Sequence, residues 1–144
     1  MTNKKSVLFN YLYRRAHRGG VFWRFIYFLY THYLGCDIPA SVVIGEGFEI
    51  FHSAHGSVVG AGTVIGNNVS LRQNTTIGSK GFSGAEKSPV IEDEVTIGPN
   101  VCIIGDIKVG KGAVIGAGSV VVKDVEPGTT VAGNPAKVIV KSKL

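Results

Sequence analysis

The chain has 144 residues, 20 of them glycine, with 44% hydrophobic and only 17% charged side chains. That is one domain's length, and a glycine load of roughly twice ordinary usage without collagen spacing asks for many tight turns rather than disorder. A net charge of +5 unaccompanied by any nucleic-acid motif excludes a nucleic-acid reader, and two distant cysteines, Cys36 and Cys102, exclude a disulfide framework or a CxxC zinc site and suit buried thiols in a cytoplasmic protein.

The N-terminus is basic, with Lys4, Lys5, Arg14, Arg15, Arg18 and Arg24, and it does not read as a signal peptide because these charges break any apolar run. Two helices are expected, over 7–18 and 21–34, with Gly19-Gly20 between them. Phe22, Ile26, Leu29 and Tyr33 recur at helical spacing, so this face is expected to pack on the β body or on another subunit. The second helix is 14 residues with Arg24 inside, too short to span a bilayer, which takes about 20 residues. Its basic, aromatic character also suits a peripheral membrane contact.

From residue 43 aliphatic residues recur every six, at Ile44, Ile50, Val59, Ile65, Leu71 and Ile77, then at Ile91, Ile97, Ile103, Val109, Ile115 and Val121. A glycine often follows directly, read here as the residue that turns each corner. A period of six fits neither a helix nor a hairpin. It predicts an all-β solenoid, a parallel β-helix of hexapeptide repeats in which three hexads close one coil. The organisation expected is an N-terminal helical arm, residues 1–36, and a β-helix domain, residues 37–144, with a loop at 78–90 and a C-terminal tail.

Two interruptions break the rhythm. Nine residues separate Ile50 from Val59, holding Phe51-His52-Ser53-Ala54-His55-Gly56, and a loop of about a dozen leaves the coil after Ile77. His52 is the candidate base, since a neutral imidazole accepts a hydroxyl proton at neutral pH. Asp37, 15 residues earlier and nearly one coil back, is its candidate orienting partner. His55 is the competitor, with a turn-closing hydrogen bond as its plainer role. No GxSxG nucleophile motif occurs, so direct attack by an acceptor hydroxyl is the economical chemistry.

Asp37-Ile38-Pro39-Ala40, Phe51-His52, Ile115-Gly116-Ala117-Gly118-Ser119-Val120-Val121 and Val131-Ala132-Gly133-Asn134-Pro135-Ala136-Lys137 resemble the hexapeptide-repeat acetyltransferases over about residues 35–140. Within them the chain looks like serine acetyltransferase and, from Ser70–Gly78 and Val101–Ile107, more like its short relatives that O-acetylate colanic acid and capsular polysaccharides.

The resemblance implies a left-handed coil, a homotrimer with sites between subunits, acetyl-CoA as co-substrate and no metal. It places His52 and Asp37 on the catalytic pair, Ser79, Pro99 and Ala117 along the pantetheine arm, and Lys137 at the phosphates. The γ-type carbonic anhydrases share the coil but need three zinc-binding histidines, and only His52 and His55 lie in the repeats. Phe51 stands where serine acetyltransferases keep an acid, and Lys87 and Ser88 replace their loop arginine and histidine. Phe51, His55 and Lys87 are therefore the candidate acceptor contacts. The expectation is acetyl transfer to a saccharide hydroxyl in the cytoplasm, with the inner face of the membrane as an alternative location and serine as the alternative acceptor.

Overall fold

The computed structural model describes residues 4–81 and 87–141, so residues 82–86 of the expected loop lie outside the described residues. Two helices, α1 (Lys4–Arg18) and α2 (Val21–Leu34), come first. The strands that follow are β1 (Val43–Ile44), β2 (Glu49–Ile50), β3 (Val58–Val59), β4 (Val64–Ile65), β5 (Ser70–Leu71), β6 (Thr76–Gly78), β7 (Val90–Ile91), β8 (Thr96–Ile97), β9 (Cys102–Ile104), β10 (Lys108–Val109), β11 (Val114–Ile115), β12 (Val120–Val121), β13 (Thr129–Ala132) and β14 (Lys137–Lys141). The chain visits three sheets in rotation, β1-β4-β7-β10, β2-β5-β8-β11-β13 and β3-β6-β9-β12, with β14 paired antiparallel outside β13.

The hexad rhythm is the cause of this three-sided coil. Ile50, Ile65, Leu71, Ile77, Ile91, Ile97, Ile103 and Ile115 all point inward and are buried, each stacking above its counterpart one coil away. The smaller residues four positions on, such as Thr63, Val69, Thr75, Val95, Val101, Ala113 and Ser119, are buried as well and fill the corners. Burying one such aliphatic side chain is worth about 1.5–3 kcal/mol, and no short strand here is stable without its stacked neighbours.

Register measures the interruptions. Val90 lies opposite Lys108, the regular step of 18 residues. Val43 lies opposite Val64, a step of 21, because the segment after Ile50 inserts three residues into that coil. Val64 lies opposite Val90, a step of 26, where the loop leaves and returns.

The corners correct one expectation. The glycines directly after the aliphatics are not the left-handed residues. Positive φ falls two residues later, at Gly47, Asn68, Asn74, Glu94, Asn100, Gly112 and Gly118. Several of the first set answer instead to close stacking of successive corners. A Cβ on Gly45 would lie 2.6 Å from the Gly66 backbone, and one on Gly98 would lie 2.9 Å from the Ala117 nitrogen.

Helix α1 closes the open end of the first coil. It buries Phe9, Leu12, Tyr13 and Ala16 and supplies polar atoms to an edge that has no further strand beside it. Ser6 Oγ accepts from Ile50 N at 3.0 Å, Asn10 Nδ2 donates to Phe48 O at 2.7 Å, and Tyr13 Oη donates to Val42 O at 2.6 Å. Helix α1 also begins earlier than expected, at Lys4. Helix α2 packs through Trp23, Ile26, Tyr27, Tyr30 and Leu34. Of the face predicted from sequence only Ile26 joins it; Phe22, Leu29 and Tyr33 are exposed, because Tyr27 anchors the helix by donating to Ile38 O at 2.8 Å. No helix among the described residues is long and apolar enough to cross a membrane. Cys36 is buried, whereas Cys102 is only half-buried because it takes an outward position on β9.

Candidate active site

The three inserted residues form one left-handed turn. His52, Ser53 and Ala54 have φ of 51°, 62° and 50°, a run that ordinary L-residues avoid at about 1–2 kcal/mol each. Such strain persists only when the surroundings impose it, and it gathers at functional sites. Here Ala54 N donates to Phe51 O at 3.0 Å and His55 N to His52 O at 3.2 Å, while the Ala54 side chain is buried. Outside the turn, Lys5 Nζ of α1 donates to Ser53 Oγ at 2.8 Å, and Gly56 N to Gly35 O at 2.7 Å. The turn is thus clamped between the helical arm and the second coil.

His52 is exposed at the tip of this turn, and among the described residues no hydrogen bond engages its ring. It opens into a pocket of about 640 Å³ whose other walls come from α1 and α2, including Lys4, Lys5, Tyr30 and Tyr33. His55 lines the same pocket, but its Nδ1 lies 3.1 Å from Leu34 O over Gly35, the turn-closing role. Phe51 is half-buried, with the Arg72 guanidinium 5.1 Å above its ring, a cation–π contact.

Among the described residues no hydrogen bond or ion pair joins Asp37 to His52. The Asp37 backbone pairs with Val58, six residues beyond His52, and its side chain lines a second pocket with His17, Arg24 and Tyr27. The 15-residue spacing suggested adjacency, but it falls three short of the regular 18-residue step and the inserted turn adds three more, so Asp37 pairs six residues beyond the histidine.

The His52 turn sits on the prism edge between the second and third sheets. Arg72–Asn74, Pro99–Asn100 and Ala117–Gly118 stack along the same edge, tied by Asn74 N to His55 O at 2.7 Å, Asn100 N to Gln73 O at 3.0 Å and Gly118 N to Pro99 O at 2.9 Å. Pro99 and Ala117 therefore share a ridge with His52. Ser79 does not; it follows β6 on the next edge, its Oγ donating to Gly81 O at 3.3 Å. Lys87 pairs with Asp106 at 3.6 Å beside that same edge. Lys137 is exposed at the start of β14.

Lys4, Lys5, Tyr30 and Tyr33 escaped the sequence reading. The only signal was the basic start of α1, and hexad periodicity says nothing about what a helix outside the repeat lays over it.

Residues 88–123 match the family model described as bacterial transferase hexapeptide (six repeats). The chain is 48% identical over 105 residues to serine acetyltransferase of Escherichia coli strain K12, covering 73% of this chain and 38% of that one. It is 47% identical over 103 residues to the mitochondrial serine acetyltransferase 3 of Arabidopsis thaliana, covering 72% and 26%. Among solved structures, serine acetyltransferase of Neisseria gonorrhoeae superposes with a TM-score of 0.82 at 36% identity over 97% of this chain and 55% of that one. The chain thus spans well under two thirds of the length of these relatives.

These relatives overturn the saccharide acceptor and the placement beside polysaccharide O-acetyltransferases, since they are serine acetyltransferases. The physical ground for that expectation weakens too. The ring of Phe51, a candidate acceptor contact, already carries Arg72 over it.

Proposed function

We propose that this chain, a hexapeptide-repeat protein similar to serine acetyltransferases, transfers acetyl from acetyl-CoA to the hydroxyl of serine. The observation that carries the reading is His52, presented by a strained turn into a pocket at the head of the ridge that holds Pro99 and Ala117. His52 takes the proton from the serine Oγ as that oxygen attacks the acetyl carbonyl; the tetrahedral adduct then collapses with cleavage of the C–S bond, and the imidazolium returns the proton to the departing CoA sulfur. Strain in the turn is the cost of placing the His52 side chain at the mouth of the pocket.

Bound acetyl-CoA supplies the thioester. Pro99 and Ala117 offer it a shallow, small-residue ridge, where Gly118 has open space in front of it, and the exposed Lys137 suits the phosphates. Ser79 and Lys87 lie on a different edge of the coil, so their contribution requires a neighbouring copy. A homotrimer of left-handed coils supplies that neighbour, and the exposed row Val43, Val64 and Val90 on one outer face supports a contact between copies. A cytoplasmic location agrees with two free thiols.

Thiol release from acetyl-CoA, followed with and without L-serine, tests the proposal. Serine-dependent release with one O-acetylserine formed per thiol is expected; release that ignores serine sinks the reading.

A further inference from the structure

The pocket in front of His52 has a one-sided charge. Lys4 and Lys5 line it, Tyr30 and Tyr33 wall it, and no carboxylate is among its described lining residues. Lys5 is held at the site, its Nζ 2.8 Å from Ser53 Oγ on the His52 turn, and Tyr30 Oη donates to Lys5 O at 3.5 Å. In a half-enclosed pocket with aromatic walls, two ammonium groups favour an anion and repel a cation.

Resting on the acyl-transfer reading above, we propose that the pocket recognises its acceptor by a carboxylate, held by Lys5 with Lys4, and not by an ammonium group. The acceptor class is a small hydroxy acid whose hydroxyl lies within reach of His52. Serine qualifies through its carboxylate, and its ammonium group has no acidic partner among the pocket's described lining residues. This differs from a site built to grip both ends of a zwitterion, which needs an acid beside the base; Phe51 and Ser53 flank His52 here.

Three alcohols separate the possibilities: L-serine, glycerate, which keeps the carboxylate and lacks the amine, and serinol, which keeps the amine and lacks the carboxylate. With the full chain, glycerate is expected to be acetylated with a KM within about threefold of serine's, and serinol with a KM at least about tenfold higher. Lys5→Ala should raise KM for serine and glycerate about tenfold, leave KM for serinol within twofold, and be rescued by Lys5→Arg. Equal use of serinol and serine by the unaltered chain overturns the inference. So does a Lys5→Ala effect of the same size on all three, which would mark Lys5 as a support for the turn. If no acceptor releases thiol, the acyl-transfer reading fails by itself. Calorimetric titration of glycerate then decides this one: binding lost in Lys5→Ala and Lys4→Ala supports it, and no binding, or binding indifferent to both, overturns it.

Discussion

Gly35 lies beneath the imidazole of His55 so closely that a Cβ there would sit 2.5 Å from Nδ1. Gly35 also ends α2 with φ of 68°, the left-handed cap in which Gly35 N donates to His32 O and Cys36 N to Thr31 O, both at 3.0 Å. One residue thus terminates the helix, seats His55 and, through Gly56 N, fixes the end of the His52 turn. Gly35→Ala meets both the clash and the left-handed penalty. We expect a loss of about 2–3 kcal/mol in denaturant unfolding and a more than tenfold drop in acetyl transfer. A variant with unchanged midpoint and activity would show that His55 need not sit where it does.

Among the described residues no hydrogen bond or ion pair joins His52 to Asp37, and the two line different pockets, so their variants should separate in activity. His52→Ala removes the proton acceptor and is expected to lower kcat/KM by about 10²–10⁴ without changing the thermal midpoint by more than a degree or two. Asp37→Asn, at a residue lining another pocket, is expected to cost less than about fivefold. Losses of equal size would require that Asp37 reaches the imidazole in the working enzyme.

Burial pushes the Cys36 thiol up from its ordinary 9.0 to about 11, with the charge of Asp37 adding to the effect. Between those values the unfolded chain gives up the proton and the folded chain keeps it, so stability is full below pH 9 and falls as pH rises toward 11. Buried tyrosines such as Tyr13 and Tyr27, raised by the same cause, act in the same direction at the top of this range. Chemical unfolding at pH 8 and pH 10.5 should show the loss, and Cys36→Ala should lessen it. At pH 8 iodoacetamide should leave Cys36 unmodified in the folded chain, and rapid alkylation there would contradict its burial.

The coil was legible because its cause is local and repeated. An aliphatic every sixth residue can be buried only by stacking, so Ile65, Leu71 and Ile97 announce their own positions. The site was legible only in part. His52 showed itself by breaking the rhythm. The three-residue insertion that exposed it also shifted the register, so counting back from His52 to Asp37 misled; pairing runs from Asp37 to Val58. Lys5 was invisible for another reason: its contact with Ser53 spans 48 residues and depends on how α1 docks, which no local pattern encodes. The acceptor misled because Phe51 was read alone, without Arg72 on its ring.

The corner residues allow a test of the fold's own logic, since left-handed backbone recurs three positions after the inward aliphatics of two of the three sheets, those of β1-β4-β7-β10 and β2-β5-β8-β11. Asn100 is such a residue, exposed, with φ of 56°, and its backbone N donates to Gln73 O at 3.0 Å. Its side chain is exposed, so substitutions report the backbone conformation with little packing contribution. Asn tolerates this region better than most residues, and Gly tolerates it fully. Asn100→Ala is therefore expected to destabilise by about 1 kcal/mol and Asn100→Gly by less than about 0.5 kcal/mol. The same pair of changes at Thr96, an outward strand position on β8, should reverse in order, because glycine there loses more freedom on folding than alanine. Urea unfolding of the four variants measures both orders. If alanine and glycine rank alike at the two positions, the positive φ at the corners does not govern how the coil turns.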